Sequence, residues 1–331
     1  MKRFTAFFIV IALALTLLAS CAKEEATVKM LRIVKEPDRT AFEEGELFDP
    51  TGMQINAEMS DGTVQENVDY TVKKKDALTR SDNSVTFTYG GKTAILQITV
   101  EPHGNNDIYS VANTDTVADS PLAGKTYLWL GSSVTYGYGS KGESMVDFIA
   151  KKHNANCIKE AVSGTTLADI KADNKGDSYV KRLEDYIASD AKAEYLDAFI
   201  CQLSTNDAYD TSTFGFVTGG DVFNKDAFDK TTTFGAIEYI IALVRDTWDC
   251  PVVFYTNSKY NNAGYAEMVA ALHEIEAKWG ITVIDLFNDE ELNAVTSEEL
   301  DLYMLDSVHP TRAGYRDWWL ERFEAALTAL N

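Results

Sequence analysis

Residues 130–137 read LGSSVTYG and close the apolar run TYLWL at 126–130. A turn that only reverses the chain needs one glycine. This one adds two serines, a threonine and further glycines at 137 and 139. Small hydroxyl side chains at the end of a core strand suit a nucleophile's seat, yet a serine hydroxyl is a weak nucleophile until a neighbouring base takes its proton. The stretch DSVHP at 306–310 offers that base. Histidine is the side chain best matched to proton transfer near neutrality. Asp306 stands three residues before His309, close enough within one turn to bond the far ring nitrogen and fix its tautomer. Hydroxyl, imidazole and carboxylate in these roles are the parts of an acyl-transfer site, with Ser132 or Ser133 as its hydroxyl.

Such parts must be brought together by regular elements. From residue 125 the apolar runs TYLWL, CIKEAV, YLDAFICQL, VVFYTN and ITVIDLF alternate with helical stretches at 143–154, 178–189, 234–248, 264–280 and 314–330. In the fourth of these, Met268, Ala271, Leu272 and Ile275 form an i, i+3, i+4, i+7 stripe. Near-continuous apolar strands between helices predict an α/β fold, a doubly wound parallel sheet of five strands covered on both faces. Function in such sheets collects in the loops beyond the carboxyl ends of the strands. The loops here read GSSVT at 131–135, SGTT at 163–166, STND at 204–207 and, after the fifth strand and one short helix, DSVHP.

This ordered set resembles the SGNH hydrolases, also called GDSL-type esterases and lipases, over residues 125–331. The resemblance implies a flavodoxin-like sheet of order 2-1-3-4-5 and carboxylic ester hydrolysis without metal or cofactor. It assigns Ser133 as nucleophile, His309 as base and Asp306 as the acid behind it. It makes the backbone N–H groups of Ser133 and Gly164 and the side-chain amide of Asn206 the oxyanion hole, donors that a tetrahedral intermediate requires. Two positions depart from the family pattern: Ser132 stands where Gly-Asp-Ser is usual, and Ser204 where glycine is common. The missing carboxylate normally supports the loop. The departure at 132 is the one feature favouring the rival reading, a non-catalytic surface protein that keeps the fold and binds carbohydrate or protein. An α/β-hydrolase is a poorer fit, because no serine has glycines at both minus two and plus two. A two-carboxylate glycosidase is disfavoured because the acids spread along helix faces.

The chain has 331 residues and a formal net charge of −21. A polyanion without a basic stripe is a poor nucleic-acid binder, since phosphate binding runs on Lys and Arg. His103, His153, His273 and His309 are too scattered for metal-ligand spacing, and Cys157, Cys201 and Cys250 include no CxxC. No metal is expected, nor any cofactor.

The amino terminus carries Lys2 and Arg3, an apolar stretch to residue 20 and then Cys21. This is the pattern of a secretory signal, and LASC resembles the bacterial lipobox. It implies removal of residues 1–20, lipidation of Cys21 and anchoring of an exported protein to a bacterial membrane. Residues 28–101 alternate with period two. They carry the turn signal Asp61-Gly62 and a glycine hairpin at Gly90-Gly91, the pattern of a small antiparallel β-sandwich. This stretch resembles bacterial immunoglobulin-like domains, which implies a spacer or a module that touches carbohydrate or protein. Residues 102–124 read as a linker. The expected substrate is a small-molecule or glycan ester. The long connection 204–231, with Phe214, Phe216, Phe223 and Phe228, is expected to wall the cleft.

Overall fold

The computed structural model describes residues 25–170 and 177–330. The expected leader and Cys21 lie outside the described residues. The chain divides into two compact units. One takes the residues up to Thr40 with Leu47–Ala77 and Asp82–Thr99; the other takes Ala41–Glu46, Leu78–Ser81 and Val100 onward.

The first unit is all β. Strands β1 (Val28–Lys35), β3 (Gln54–Met59) and β4 (Val64–Gln65) form one antiparallel sheet, and β5 (Thr71–Val72), β6 (Ser84–Tyr89) and β7 (Lys92–Gln97) another. The alternation seen in the sequence is the burial pattern: Ile55, Ala57 and Met59 face inward from β3, Val85 and Phe87 from β6. Gly62, Gly90 and Gly91 all hold positive φ in the hairpin turns, a conformation that costs glycine nothing. Short strands β2 (Ala41–Glu43) and β8 (Thr99–Glu101) pair with each other.

The second unit holds the sheet that matters for function. Strands β9 (Thr126–Gly131), β10 (Asn156–Ala161), β11 (Ala198–Gln202), β12 (Val252–Tyr255) and β13 (Thr282–Ile284) are parallel, in the order β10-β9-β11-β12-β13. This is the 2-1-3-4-5 order. Helices follow the strands: α1 (Ser133–Tyr136), α2 (Met145–His153), α3 (Tyr179–Ala188), α4 (Thr233–Trp248), α5 (Ala263–Trp279), α6 (Ser297–Tyr303) and α7 (Leu320–Ala329). A six-residue π-helical turn, Gly314–Trp319, leads into α7 where the sequence suggests one unbroken helix.

Strand residues alternate between two cores. Leu128, Leu130, Phe199, Cys201 and Phe254 pack with Leu183, Ile237, Ile241, Met268 and Leu272 of α3, α4 and α5. Tyr127, Trp129, Ala198, Ile200 and Val253 pack with Phe148, Ile149, Phe323 and Leu327 of α2 and α7. The central strands β9, β11 and β12 are buried on both faces, which is why their sequences read as continuous apolar runs, while the edge strand β10 is only half-buried. Residues 103–113 form three 3-10 turns that belong to this unit. Asn105 fixes them in place: its amide donates to the Gly139 carbonyl at 2.8 Å, and its oxygen accepts from the Arg312 N–H at 3.0 Å.

Candidate active site

The nucleophile turn is built by what its glycines lack. β9 ends at Gly131 and α1 begins two residues later. A Cβ on Gly131 would stand 1.7 Å from Thr135 Oγ1, so only glycine lets the chain fold back this tightly. Gly137 ends α1 with φ +90°. A Cβ on Gly139 would lie 2.5 Å from the Pro310 carbonyl oxygen and 2.9 Å from His309 Cβ. The extra glycines thus let residues 137–142 lie flat against the histidine loop, a task beyond reversing the chain.

Ser133 Oγ lies 2.8 Å from His309 Nε2, although 176 positions separate the two in sequence. On the other side of the ring, Nδ1 is 2.8 Å from Asp306 Oδ2 and 3.0 Å from Oδ1. The Val308 and His309 backbone N–H groups also donate to Asp306 Oδ1, at 2.8 and 2.9 Å. Burial works to raise the Asp306 carboxyl, but these hydrogen bonds and the nearby imidazole outweigh it and hold the group down at about 2. Asp306 is therefore an anion at neutral pH, facing Nδ1–H and leaving Nε2 as the acceptor toward the serine. Ser132, the rival, is turned inward: it is fully buried and its Oγ approaches Gln202 Oε1 at 3.4 Å.

The donors that the resemblance assigns to the oxyanion hole come from the carboxyl ends of β9, β10 and β11. Among the described residues, the Ser133 and Gly164 N–H groups donate to no protein acceptor. Gly164 has φ +83°. The Asn206 side-chain amide donates one hydrogen to the Thr165 carbonyl at 2.8 Å, which leaves its second hydrogen for another acceptor.

Three buried polar side chains hold these loops in register. Arg182 of α3 donates through Nη2 to the Gly131 carbonyl at 2.8 Å and to Thr165 Oγ1 at 3.2 Å, and through Nη1 to the Glu160 carbonyl at 2.9 Å. Asp207 accepts from the Leu167 and Ala168 N–H groups at 2.8 and 3.2 Å and from Thr233 Oγ1 at 3.2 Å. Its burial raises the carboxyl against the pull of those donors, so it is a loop-holding acid. Gln202 receives the nucleophile turn itself. One sequence signal was available for each: a single polar residue inside the apolar run AFICQ, an arginine on the buried face of a helix, and an acid next to Asn206.

Cysteine chemistry has no place here. Cys157, Cys201 and Cys250 are free thiols, and burial pushes Cys157 up to about 12 and Cys250 to about 11. Among the described residues no group of three His, Cys, Asp or Glu side chains is placed to hold a metal ion.

The connection 204–231 departs from expectation. Only its first residues adjoin the oxyanion loop. Phe214 then packs on Phe234, and Phe223 and Phe228 pack on Trp279. Glu238, fully buried on α4, takes the Thr218 N–H at 2.8 Å and the Lys278 ammonium. Three of the four phenylalanines that suggested a cleft wall lie against the helix layer, while Phe216 is exposed.

A family model described as GDSL-like lipase/acylhydrolase matches residues 129–316, and the chain belongs to this family. It is a serine ester hydrolase. One solved structure aligns at 25% identity over 63% of this chain and 98% of its own, with a TM-score of 0.51. A protein from Lactobacillus plantarum aligns at 20% identity over 62% of this chain and 98% of its own, with a TM-score of 0.50. A carbohydrate acetylesterase family member from Sinorhizobium meliloti aligns at 17% identity over 62% and 98%, with a TM-score of 0.42. No curated protein matches the chain.

Proposed function

We propose that the protein is an exported, lipid-anchored serine esterase that removes small acyl groups, acetyl on carbohydrate foremost, from the surface side of a bacterial membrane. The observation that supports the catalytic reading is the unbroken relay from Ser133 Oγ through His309 to Asp306, both links at 2.8 Å. In this reading Ser133 Oγ gives its proton to His309 Nε2 as it attacks the ester carbonyl carbon. Asp306 stabilises the imidazolium that forms. The tetrahedral oxyanion is met by the N–H groups of Ser133 and Gly164 and the free amide hydrogen of Asn206. Collapse breaks the bond to the alcohol, which leaves with the proton from His309. Water, deprotonated by the same imidazole, then attacks the acyl-serine and releases the carboxylic acid, restoring Ser133.

For the alcohol side, the exposed ring of Tyr138 beside His309 offers a flat face to a sugar. The family resemblance of residues 28–101 supports a spacer or carbohydrate-touching module, and LASC ending at Cys21 supports the anchor. A Cys21→Ser chain is expected to leave the membrane fraction; its retention there would remove the anchor.

The test of the catalytic reading uses a fluorophosphonate probe and p-nitrophenyl esters of graded length, followed by acetylated glycans. Labelling and acetyl-ester hydrolysis, both lost in Ser133→Ala, are expected. Absence of both in the intact chain would sink the esterase and favour the non-catalytic binder that the Ser132 departure suggested.

A further inference from the structure

Gln202 is the last residue of β11 and the only polar side chain in AFICQ, and it is 1% exposed. Its Oε1 faces four donors: the Ser132 N–H at 2.9 Å, the Thr135 N–H at 3.2 Å, Thr135 Oγ1 at 2.9 Å and Ser132 Oγ at 3.4 Å. Two of these are backbone N–H groups, which can only donate, so the atom they meet must be the amide oxygen. The orientation leaves Nε2 buried and, among the described residues, without a hydrogen-bond partner.

The two N–H groups that Gln202 takes bracket those of Ser133 and Val134. α1 is a four-residue helix, and its first N–H groups have no partner within the helix. With 132 and 135 tied to one oxygen, the Ser133 N–H between them is held in a fixed direction and donates to nothing in the described chain. Gly131 makes room for the arrangement, because a Cβ there would stand 2.9 Å from Gln202 Oε1. Thr135 Oγ1 continues the tie to the Tyr255 hydroxyl at 2.6 Å, so the turn is fastened to β11 and β12 together.

We infer that Gln202 is a positioning residue for the nucleophile, supplying from the neighbouring strand the acceptor that the nucleophile turn lacks with serine at 132. The inference rests on the serine-esterase reading and adds the group that aims Ser133 and its oxyanion N–H. Its effect belongs in the transition state, where both the attack angle and the N–H direction count, and not in substrate binding.

The experiment measures kcat and KM on p-nitrophenyl acetate for the full chain, Gln202→Leu and Gln202→Glu, with circular dichroism on each. Gln202→Leu is expected to lose about 10–10²-fold in kcat with KM changed by less than about threefold, the pattern of a misaimed nucleophile. Gln202→Glu keeps an acceptor oxygen and is expected to recover most of that loss. A folded Gln202→Leu with wild-type kcat, or a Gln202→Glu as impaired as Gln202→Leu, overturns the inference while leaving the esterase intact. If Gln202→Leu does not fold, amide hydrogen exchange on the unaltered protein decides: slow exchange at Ser132 and Thr135 is expected, and fast exchange at both overturns it. An intact chain that neither hydrolyses esters nor takes the fluorophosphonate probe defeats the esterase reading itself, and the inference with it.

Discussion

The phenol ring of Tyr138 lies 5.0 Å from the imidazole of His309, with the two planes inclined at 56°, while 59% of the tyrosine remains exposed. The residue is held there by the glycines on either side of it, not by burial of its own side chain. The ring contact helps to hold the imidazole where it meets Ser133 Oγ. Such a contact between aromatic rings is worth about 0.5–1 kcal/mol, or roughly two- to fivefold in rate. Tyr138→Ala should therefore lower kcat on p-nitrophenyl acetate by about that factor, and Tyr138→Phe should not. A larger loss in KM than in kcat on acetylated glycans would instead assign the ring to the sugar.

Asp306 separates two effects of pH. Its folded-state carboxyl sits at about 2, below the ordinary 3.8. A depressed pKa contributes stability that is present above the unfolded value and is lost as pH falls through the folded one. The stability difference between the wild type and Asp306→Asn should thus be constant above about pH 4 and shrink toward pH 2, read from Tm across that window. At neutral pH the same variant should keep its fold and lose about 10²–10⁴-fold in kcat, because an amide no longer fixes the tautomer or balances the imidazolium. Unchanged turnover would remove Asp306 from the relay.

Arg182 joins the loops that carry Ser133 and Gly164, through the Gly131 carbonyl and Thr165 Oγ1, and it is 7% exposed. Arg182→Met keeps the apolar stem and leaves the Glu160 carbonyl without this donor and the Gly131 carbonyl with the Val162 N–H at 3.3 Å. Unsatisfied buried acceptors cost about 1–3 kcal/mol each. The expected fall is about 2–4 kcal/mol in stability, seen as a drop of roughly 5–15 °C in Tm. A Tm within a degree or two of wild type would show that water satisfies those carbonyls.

The relay was legible in the sequence because its parts are local or tied to strand ends. Asp306 and His309 are three residues apart, and Ser133, Gly164 and Asn206 each follow an apolar run that had to be a strand. The strand order came with the family resemblance, not with the periodicity. Gln202 was hidden for a physical reason: its partners lie 67 and 70 positions away, and nothing in AFICQ says which neighbour its amide will meet. Arg182 was hidden likewise, 51 positions from the carbonyl it holds. Phe214 and Phe228 of 204–231 misled because aromatic content marks burial without saying against what. The π-helical turn at Gly314–Trp319 left no trace in the apolar spacing that suggested a plain helix there.

Gly139 gives the sharpest test of how closely the histidine loop must approach. It is not among the glycines with positive φ, so alanine meets no backbone penalty there. The obstacle is the neighbouring chain: the added Cβ would sit 2.5 Å from the Pro310 carbonyl oxygen and 3.0 Å from that of His309. Backbone cannot swing aside as a side-chain tip can, so residues 309–310 must retreat from the turn. A shift of about 1 Å in a reacting group costs on the order of 10²-fold in rate. Gly139→Ala should therefore fold, bind with near-normal KM and lose at least about tenfold in kcat, with slower fluorophosphonate labelling of Ser133. Wild-type labelling in a folded Gly139→Ala would mean that His309 keeps its reach to Ser133 Oγ without the close packing of the two loops.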